Sequence, residues 1–357
     1  MRGQQGPEGQ RVKACAAAAD SDGAYRYVLG MRNQKEYLND RAMKSEWVAI
    51  TGATGFIGRS ICDLLHDAGW KLRALLRTEA RASAMQGTVD EWVRGDLDDR
   101  DSLQKLTADS FAVIHCAGAV RGASPQAFDR VNVEGLRNLI DAILACHSTP
   151  RLLCLSSLAA REPGLSFYAA SKRKGEQLLE QQAGALNWIA LRPPAVYGPG
   201  DRELLPLFRL MAKGIAPVLG NRDAHFSMIY SRDIAALVEA WLVQDSCPSG
   251  VYSLHDGRMG GYSWHDVCAA VSRLCQRPVR EFSVPPVLLS VPAWINRTLA
   301  PRLGYAPMLT PEKLRELRHP DWVCDNSAIQ QVLDWQPRVQ LEEGLKLTPG
   351  WCRQLDR

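Results

Sequence analysis

The stretch 48-VAITGATGFIG-58 decides the fold of this chain. It begins as an apolar run typical of a buried strand and becomes a helical pattern from Ile57 onward. Between the two lie Gly52, Gly55 and Gly58, which permit a tight turn and a close approach of the backbone to a ligand. The sequence therefore predicts a strand that turns directly into the N-terminus of a helix.

Such a junction is suited to binding a pyrophosphate. Its backbone N–H groups can reach the phosphates, and the helix dipole adds partial positive charge there. The alternative is a glycine-rich turn before an ordinary helix. The strand before the turn and the amphipathic helix after it favour a dinucleotide site.

The composition is that of an ordinary globular protein. With 357 residues, of which 46% are hydrophobic and 23% charged, the chain can form one large α/β domain and a smaller one. The formal net charge is +4, and Lys and Arg are scattered along the chain, so the sequence shows no footprint for nucleic acid.

Ten cysteines show neither a CxxC pair nor zinc-ligand spacing, so we expect no metal site. Several, such as Cys62 and Cys154, lie inside apolar patterns, which indicates free thiols in a reducing compartment and favours the cytoplasm. We also expect no transmembrane segment and no signal peptide, because no apolar run has the required length.

Residues 1–45 differ from the rest, being rich in Gly, Gln, Arg and Ala without a sustained period. We expect them to form a mostly disordered arm. Met43 directly precedes the first strand, so one hypothesis is that the biological chain begins there and that residues 1–42 are absent from it.

Strand and helix patterns alternate beyond the arm. The apolar strand patterns lie at 48–51, 71–76, 90–94, 111–118, 151–157 and, as the last of the doubly wound sheet, 188–191. Their near-continuous apolar character predicts an α/β fold of Rossmann type, a doubly wound parallel sheet covered on both faces. We place the dinucleotide-binding core at 46–195 and a smaller α/β substrate-binding subdomain at 196–357, from which some strands and helices return to the core.

The residue after the second strand bears on the cofactor. A carboxylate there binds the ribose hydroxyls of NAD, whereas a cation accommodates the 2′-phosphate of NADP. Arg77 holds this position and Arg81 follows, which favours NADP, while Glu79 keeps NAD as an alternative. Arg77 could also be an ordinary solvated charge at a strand end.

Two further polar residues have open roles. Asp96, after the third strand, could contact adenine or cap the helix that starts near Asp99. Asn132 lies within a helix predicted over 125–146, on the face toward the sheet, and a buried Asn needs hydrogen-bond partners.

The catalytic candidates follow the fifth strand, which ends in Ser156 and Ser157. A helix then opens with Tyr168, and Lys172 lies four residues on, so both share one helix face. An ammonium beside the phenol favours the phenolate, which is what proton transfer near neutral pH requires. Ser157 could hold the substrate oxygen. The alternative is an unremarkable surface Tyr/Lys pair.

These motifs together resemble the extended short-chain dehydrogenase/reductase family, the NAD(P)-dependent epimerase/dehydratases. The motifs are TGATGFIG (51–58), GDL (95–97), HCAG (115–118), VNVEG (131–135), SS (156–157), YAASK (168–172) and RPPAVYGPG (192–200). The resemblance covers residues 46–350 and is specific for the family rather than for a substrate.

The resemblance implies a Rossmann fold, catalytic Ser157, Tyr168 and Lys172, and a homodimer formed through the helices that carry Tyr168 and Asn132. The cofactor contacts that we assign in its light are Gly52, Thr54, Gly55, Phe56, Ile57, Gly58, Arg77, Asp96, Leu97, Ala117, Tyr168, Lys172 and Pro193.

The resemblance also bears on the substrate. Family members that use nucleotide sugars commonly carry an Arg for the diphosphate where this chain has Phe226-Ser227-Met228, and the Val-Tyr-Gly that follows their catalytic Ser is here Leu158-Ala159-Ala160. Both departures count against a nucleotide sugar, because a diphosphate without a nearby cation is poorly paired. Arg202 or Arg222 could substitute.

The segment 284–295 is the most apolar region outside the sheet, and prolines interrupt it. It could line a pocket for a hydrophobic carbonyl compound, lie on a bilayer surface as a peripheral contact, or form a packed helix of the smaller domain.

We therefore expect an NADP(H)-dependent oxidoreductase that interconverts a carbonyl and a secondary alcohol on a fairly apolar small molecule. Two alternatives stay open: a nucleotide-sugar epimerase or dehydratase with tightly bound NAD, and a non-catalytic subunit that binds a dinucleotide.

Overall fold

The computed structural model describes residues 46–79, 85–182, 184–303, 305–307, 309–352 and 355. The predictions for the arm at 1–45, and for Arg81, lie outside the described residues.

Seven parallel strands form the main sheet. They are β1 Trp47–Thr51, β2 Lys71–Leu76, β3 Glu91–Arg94, β4 Ser110–His115, β5 Arg151–Leu155, β6 Trp188–Arg192 and β11 Gly250–Ser253. Their order across the sheet is β11-β6-β5-β4-β1-β2-β3, and every pairing is parallel. The order reverses between β1 and β4, where a doubly wound sheet binds its ligand. The predicted Rossmann-type fold is confirmed.

The prediction that the strand at 188–191 is the last of this sheet was wrong. β11 pairs with β6, with Val251 opposite Ala190. Its sequence, GVYS, has no apolar run, and the strand forms because β6 offers a free edge rather than because of its own pattern.

Helices cover both faces of the sheet. They are α1 Phe56–Asp67, α2 Arg100–Thr107, α3 Pro125–Asp129, α4 Gly135–Leu144, α5 Phe167–Glu180 and α7 Ser231–Val243. On one face, Ile61 of α1 and Leu237 of α7 share a buried cluster with Ile50 of β1. On the other face, Leu136 of α4 and Leu179 of α5 cluster with Val113 of β4. Because successive strand residues point to opposite faces, near-continuously apolar strands serve both cores.

The helix predicted over 125–146 has an interruption. Between α3 and α4, Arg130–Glu134 forms one π-helical turn that contains the buried Asn132. A π turn is often found at a functional site because it redirects one side chain.

The remaining elements form smaller layers. The strands are β7 Ala195–Tyr197, β8 Ile215–Val218, β9 His225–Phe226, β10 Met228–Tyr230, β12 Tyr262–Ser263, β13 Arg280–Ser283 and β14 Asp321–Trp322. The helices are α6 Leu205–Ala212, α8 Trp264–Cys275, α9 Pro286–Leu303, α10 Pro311–Leu317, α11 Ser327–Val332 and α12 Leu341–Lys346. Many of these pack around a third cluster that includes Tyr197, Phe208 and Val271. The domain boundary at 195/196 stays a prediction, while β11 and α7 belong to the main sheet and its cover.

Among the residues that the structure describes, none of the helices combines the length and the apolar character of a membrane span. In the same ranges, no three His, Cys, Asp or Glu side chains lie together in a position to hold a metal ion.

Candidate active site

The turn from β1 into α1 requires its glycines. Gly52 has φ +73°, and a Cβ there would lie 2.5 Å from the backbone N of Ala117, which follows β4. A Cβ on Gly58 would lie 2.2 Å from the carbonyl O of Gly52. The turn is therefore packed against itself and against the end of β4, and its path admits no side chain at these two positions.

The N-terminus of α1 offers backbone donors and positive charge to a phosphate. Gly55 is its N-cap, no side chain caps it, and its first turn holds no acidic residue. The N–H groups of that first turn have no partner within the helix, and the dipole adds partial positive charge. These features fit the pyrophosphate of a dinucleotide, with Thr54, Phe56 and Ile57 beside it.

The ends of β2 and β3 lie side by side, because Leu76 and Arg94 are paired in register. Arg77 follows β2 and is exposed. Arg94 pairs with Glu79, with 3.2 Å between guanidinium N and carboxylate O, and both side chains are exposed. Two guanidinium groups, those of Arg77 and Arg94, therefore lie at this corner, and the carboxylate of Glu79 is paired with one of them.

The alternative role for Asp96 was wrong. Asp99, not Asp96, caps α2, accepting a hydrogen bond from the N–H of Ser102 at 3.3 Å. Asp96 is exposed and accepts from the N–H of Asp98 at 2.9 Å, which leaves it in a tight turn at the sheet edge. The neighbouring Leu97 packs against Gly135, where a Cβ would approach it to 2.7 Å.

At the end of β4, Thr51 and His115 form a buried pair, with 2.7 Å between Oγ1 and Nδ1. Burial lowers the pKa of His115 to about 3, so its ring is neutral. The same Thr51 hydroxyl accepts from the N–H of Ala117 at 3.4 Å. This pair fixes the chain that passes over the glycine turn.

The buried Asn132 has the partners that the sequence requires. Its Oδ1 accepts from the N–H of Ala119 at 2.8 Å, and its Nδ2 donates to the carbonyl of Ala119 at 3.0 Å and to Ser171 Oγ at 2.8 Å. A Cβ on Gly118 would lie 3.1 Å from Lys172 Nζ and 3.3 Å from Asn132 Oδ1. Gly118 thus lets β4, the π turn and α5 approach one another closely.

The three catalytic candidates lie at the carboxyl end of β5. Ser157 follows the strand, and its Oγ accepts from the N–H of Ala159 at 3.2 Å. Ser166 caps α5, which places Tyr168 in its first turn, and Lys172 lies one turn on. Lys172 Nζ donates to the carbonyl of Leu155 at 2.7 Å, so the ammonium is held at the strand end.

The acidity of Tyr168 differs from the sequence-based expectation. Burial raises its pKa to about 12, hydrogen bonding with the Ser157 side chain lowers it, and the carboxylate of Glu316 raises it further. Burial also lowers the pKa of Lys172. Removal of water outweighs the hydrogen bond with Ser157, so Tyr168 is a neutral phenol at neutral pH.

Sequence reasoning missed Glu176, which is buried four residues after Lys172. Its carboxylate accepts from Ser156 Oγ at 2.6 Å and from Arg192 Nε and a terminal Arg192 nitrogen at 2.8 and 2.6 Å. It therefore joins the ends of β5 and β6 to α5. The signal was present in the spacing, because residues 168, 172 and 176 share one helix face.

It also missed the wall that α10 contributes. Lys313 Nζ lies 5.6 Å from the centroid of the Tyr168 ring, and Glu316 accepts from Ser166 Oγ at 2.8 Å. Lys313 and Glu316 are ion-paired. No local pattern predicts this contact, because α10 is distant in sequence.

Pro193 is buried directly after β6, where its carbonyl accepts from the N–H of Leu158 at 2.9 Å. This bond ties the end of β6 to the segment that carries Ser157. The predicted site residues therefore converge on one edge of the sheet, with Arg77 and Asp96 at its far corner.

Comparison with known proteins agrees with this geometry. The model of the NAD dependent epimerase/dehydratase family matches residues 48–253, more than half of the chain. The chain belongs to this family. It is thus an NAD(P)-dependent oxidoreductase of the extended short-chain dehydrogenase/reductase type, as the sequence motifs predicted.

Two family members are similar over nearly their whole length. A protein of Caulobacter vibrioides (strain NA1000 / CB15N) named ceramide reductase is 35% identical over 313 residues, covering 86% of this chain and 94% of that protein. A 2-alkyl-3-oxoalkanoate reductase of Stenotrophomonas maltophilia (strain K279a) is 28% identical, covering 84% of this chain and 97% of that protein.

Among solved structures, the UDP-glucuronic acid 4-epimerase of Bacillus cereus in complex with NAD has a TM-score of 0.66 at 18% identity. The match covers 87% of this chain and 100% of that one. At this identity the likeness shows the shared fold alone.

Proposed function

We propose that this oxidoreductase reduces a ketone on a long-chain lipid of the ceramide class to a secondary alcohol, with NADPH as reductant. The observation that carries the proposal is the 35% identity to a ceramide reductase, which extends over 94% of that protein. A 2-alkyl-3-oxoalkanoate reductase among the relatives points the same way, because its substrate name also joins an oxo group to alkyl chains.

The choice of NADP over NAD is supported by the corner beyond β2 and β3. Glu79, the residue that would favour NAD, is held in an ion pair by Arg94, while Arg77 is exposed beside it. A 2′-phosphate would find two guanidinium groups here. The turn of Gly52, Gly55 and Gly58 would hold the pyrophosphate.

The chemistry follows from the residues at the end of β5. A bound nicotinamide would supply the hydride to the carbonyl carbon. Ser157 would donate a hydrogen bond to the carbonyl oxygen, and Tyr168 would give that oxygen its phenolic proton as negative charge develops there. Lys172, held by the carbonyl of Leu155, would stabilise the phenolate that this transfer leaves.

The segment Phe226-Ser227-Met228, where nucleotide-sugar enzymes of the family commonly carry an Arg for the diphosphate, supports an apolar substrate over a nucleotide sugar. Ser227 and Met228 are buried, and the Phe226 ring packs on Trp264 with 5.3 Å between centroids. Arg202 and Arg222 are the two residues that could substitute for the missing diphosphate Arg. Arg222 is engaged elsewhere, because it donates to the carbonyl of Glu281 at 3.3 Å.

The test is a Tyr168→Phe variant assayed with NADPH and an oxo-ceramide. We expect turnover to fall by about two orders of magnitude or more, in line with the loss of a positioned acid, while NADPH binding persists. Tyr252→Phe is the matched control, because it also removes one tyrosine hydroxyl. Tyr252 lies on β11, and its hydroxyl donates to the carbonyl of Pro248 at 2.7 Å. A loss of less than about tenfold in Tyr168→Phe refutes the assignment.

The same assay separates the alternatives. Interconversion of a sugar nucleotide without net oxidation of NADPH would indicate an epimerase. Dinucleotide binding without turnover of either substrate class would indicate a non-catalytic subunit. The homodimer through the helical segments that carry Tyr168 and Asn132 stays a prediction, which light scattering at several protein concentrations would test.

A further inference from the structure

The helix α9 presents apolar side chains to solvent. Val287, Leu288 and Trp294 are 70%, 65% and 62% exposed, and Val291, Ile295 and Leu299 are also exposed. At about 100° per residue these six side chains fall within an arc of about 140° on one side of the helix. A surface helix in water normally has the opposite arrangement, with its apolar arc turned to the core.

The buried side of α9 carries two alanines. Ala293 and Ala300 are almost fully buried, and they lie on the opposite side from the exposed arc. The helix therefore turns this side toward the protein and leaves the six large apolar side chains named above outside. Phe282, exposed on the preceding β13, continues the apolar surface. We call the exposed side chains of α9 and Phe282 the apolar face.

The charge around this face is positive. Residues 277–318 hold seven Arg or Lys and three Glu, so this segment alone accounts for a net charge of +4, equal to that of the whole chain. Glu312 and Glu316 are buried, whereas Arg280 and Arg315 are exposed. Arg297, half exposed, pairs with the buried Glu312 at 2.7 Å. The sequence holds no acidic residue from 282 to 311.

This face is connected to the candidate active site. Asn296 of α9 donates to the carbonyl of Leu309 at 3.1 Å, just before α10. From α10, Lys313 lies over the Tyr168 ring and Arg315 Nε donates to the carbonyl of Leu165 at 3.1 Å. Only one short helix therefore separates the apolar face from the catalytic tyrosine.

We propose that the apolar face is a docking surface for an anionic lipid bilayer, on which α9 lies flat with its large side chains among the acyl chains. Exposed apolar groups provide the insertion and the surrounding guanidinium groups attract anionic headgroups. A substrate dissolved in the bilayer would then enter beside α10. That last step rests on the proposed function, whereas docking itself does not.

The test is flotation of the full chain with vesicles of equimolar phosphatidylcholine and phosphatidylglycerol, without NADPH and without any carbonyl substrate. We expect the wild type to float with these vesicles, and less so with pure phosphatidylcholine or at high salt. The variant Leu288→Glu/Trp294→Glu should lose about tenfold or more in partitioning, since it puts two carboxylates into the apolar arc.

Met259→Glu is the matched control, because Met259 is 78% exposed and lies outside α9. It should float like the wild type. Circular dichroism should show that all variants are folded, since the changed side chains face solvent.

Three results would overturn the proposal. The wild type could fail to float with the anionic vesicles, or the double variant could float equally well. Alternatively, light scattering could show that the wild type is a dimer that does not float and that the double variant is a monomer, which would make the face an interface between copies. Because no substrate is present, a failure of the proposed reductase activity would leave the flotation result unchanged.

Discussion

The buried carboxylate of Glu176 should dominate the stability of the candidate active site, and Glu176→Ala tests this. The Glu176 side chain is 1% exposed, and the Arg192 side chain that it pairs with is 18% exposed. The substitution leaves the Arg192 guanidinium and the Ser156 hydroxyl without this acceptor. Removal of one partner of a buried ion pair costs about 3–5 kcal/mol, because the remaining charge stays desolvated.

Two further variants separate the cost of an unpaired buried charge from the cost of lost packing. Arg173 also pairs with Glu176, at 3.1 Å, but its side chain is 32% exposed, so Arg173→Ala should cost less than about 1 kcal/mol. Arg192→Met combined with Glu176→Gln replaces the pair without leaving a charge behind. That double variant should be more stable than the sum of the single losses predicts, by about 1–3 kcal/mol.

Urea unfolding followed by circular dichroism measures these differences, provided that the slope with urea is the same in all variants. The reasoning fails if Glu176→Ala costs less than about 1 kcal/mol, or if the losses in the pair are additive within about 0.5 kcal/mol. Glu176→Gln also tests the site, because the carboxylate raises the pKa of Lys172. Its removal should shift the pKa of Lys172 further down.

Three more predictions follow from the site. Gly52→Ala should abolish stabilisation by NADPH in a thermal-shift assay, because the added Cβ would lie 2.5 Å from the backbone N of Ala117. Gly69→Ala is the control and should keep the stabilisation by NADPH, because Gly69 also has a positive φ, +85°, but has open space around it. Equal shifts in both would contradict the packing argument. Burial holds the pKa of His115 near 3, below 6.5 in the unfolded chain, so unfolding takes up a proton as the pH falls and stability drops by about 2 kcal/mol from pH 7 to pH 5. His115→Asn should flatten that slope in urea unfolding, and an unchanged slope would count against it. Arg77→Ser should raise the KM for NADPH by about tenfold or more without changing that for NADH, whereas an equal change for both cofactors would remove Arg77 from the 2′-phosphate site.

The central sheet could be predicted because its strands carry their own signal. The apolar runs around Ile50 and Ile114 serve two cores at once, so each is visible without knowledge of its neighbours. β11 could not be predicted in this way. Gly250–Ser253 has no apolar run, and it becomes a strand only because β6 needs a partner on that edge.

The π turn around Asn132 was also invisible to periodicity. The apolar residues of 125–146 recur at helical spacing on both sides of it, so the pattern predicts one continuous helix. The turn is stabilised by contacts that are distant in sequence, since Asn132 Nδ2 donates to Ser171 Oγ of α5. The sequence indicated that this Asn needs partners but not which ones they are.

For the catalytic candidates, the sequence revealed which residues meet but not their acidity. The spacing of Tyr168 and Lys172 gives one shared helix face, and that much is local. The pKa of Tyr168 depends instead on burial and on Glu316 of α10, whose position is set by tertiary packing. The expected shift toward phenolate was therefore reversed in sign.

This reversal bears on the direction of the reaction. A phenol whose pKa lies near 12 keeps its proton at neutral pH, so the first proton step open to Tyr168 is donation rather than abstraction. Donation is what a carbonyl oxygen requires as it becomes an alkoxide, whereas oxidation of an alcohol would need the phenolate from the start. The protonation state of Tyr168 is thus the one that donation to a ketone oxygen requires, in agreement with the direction proposed here on the separate ground of sequence similarity.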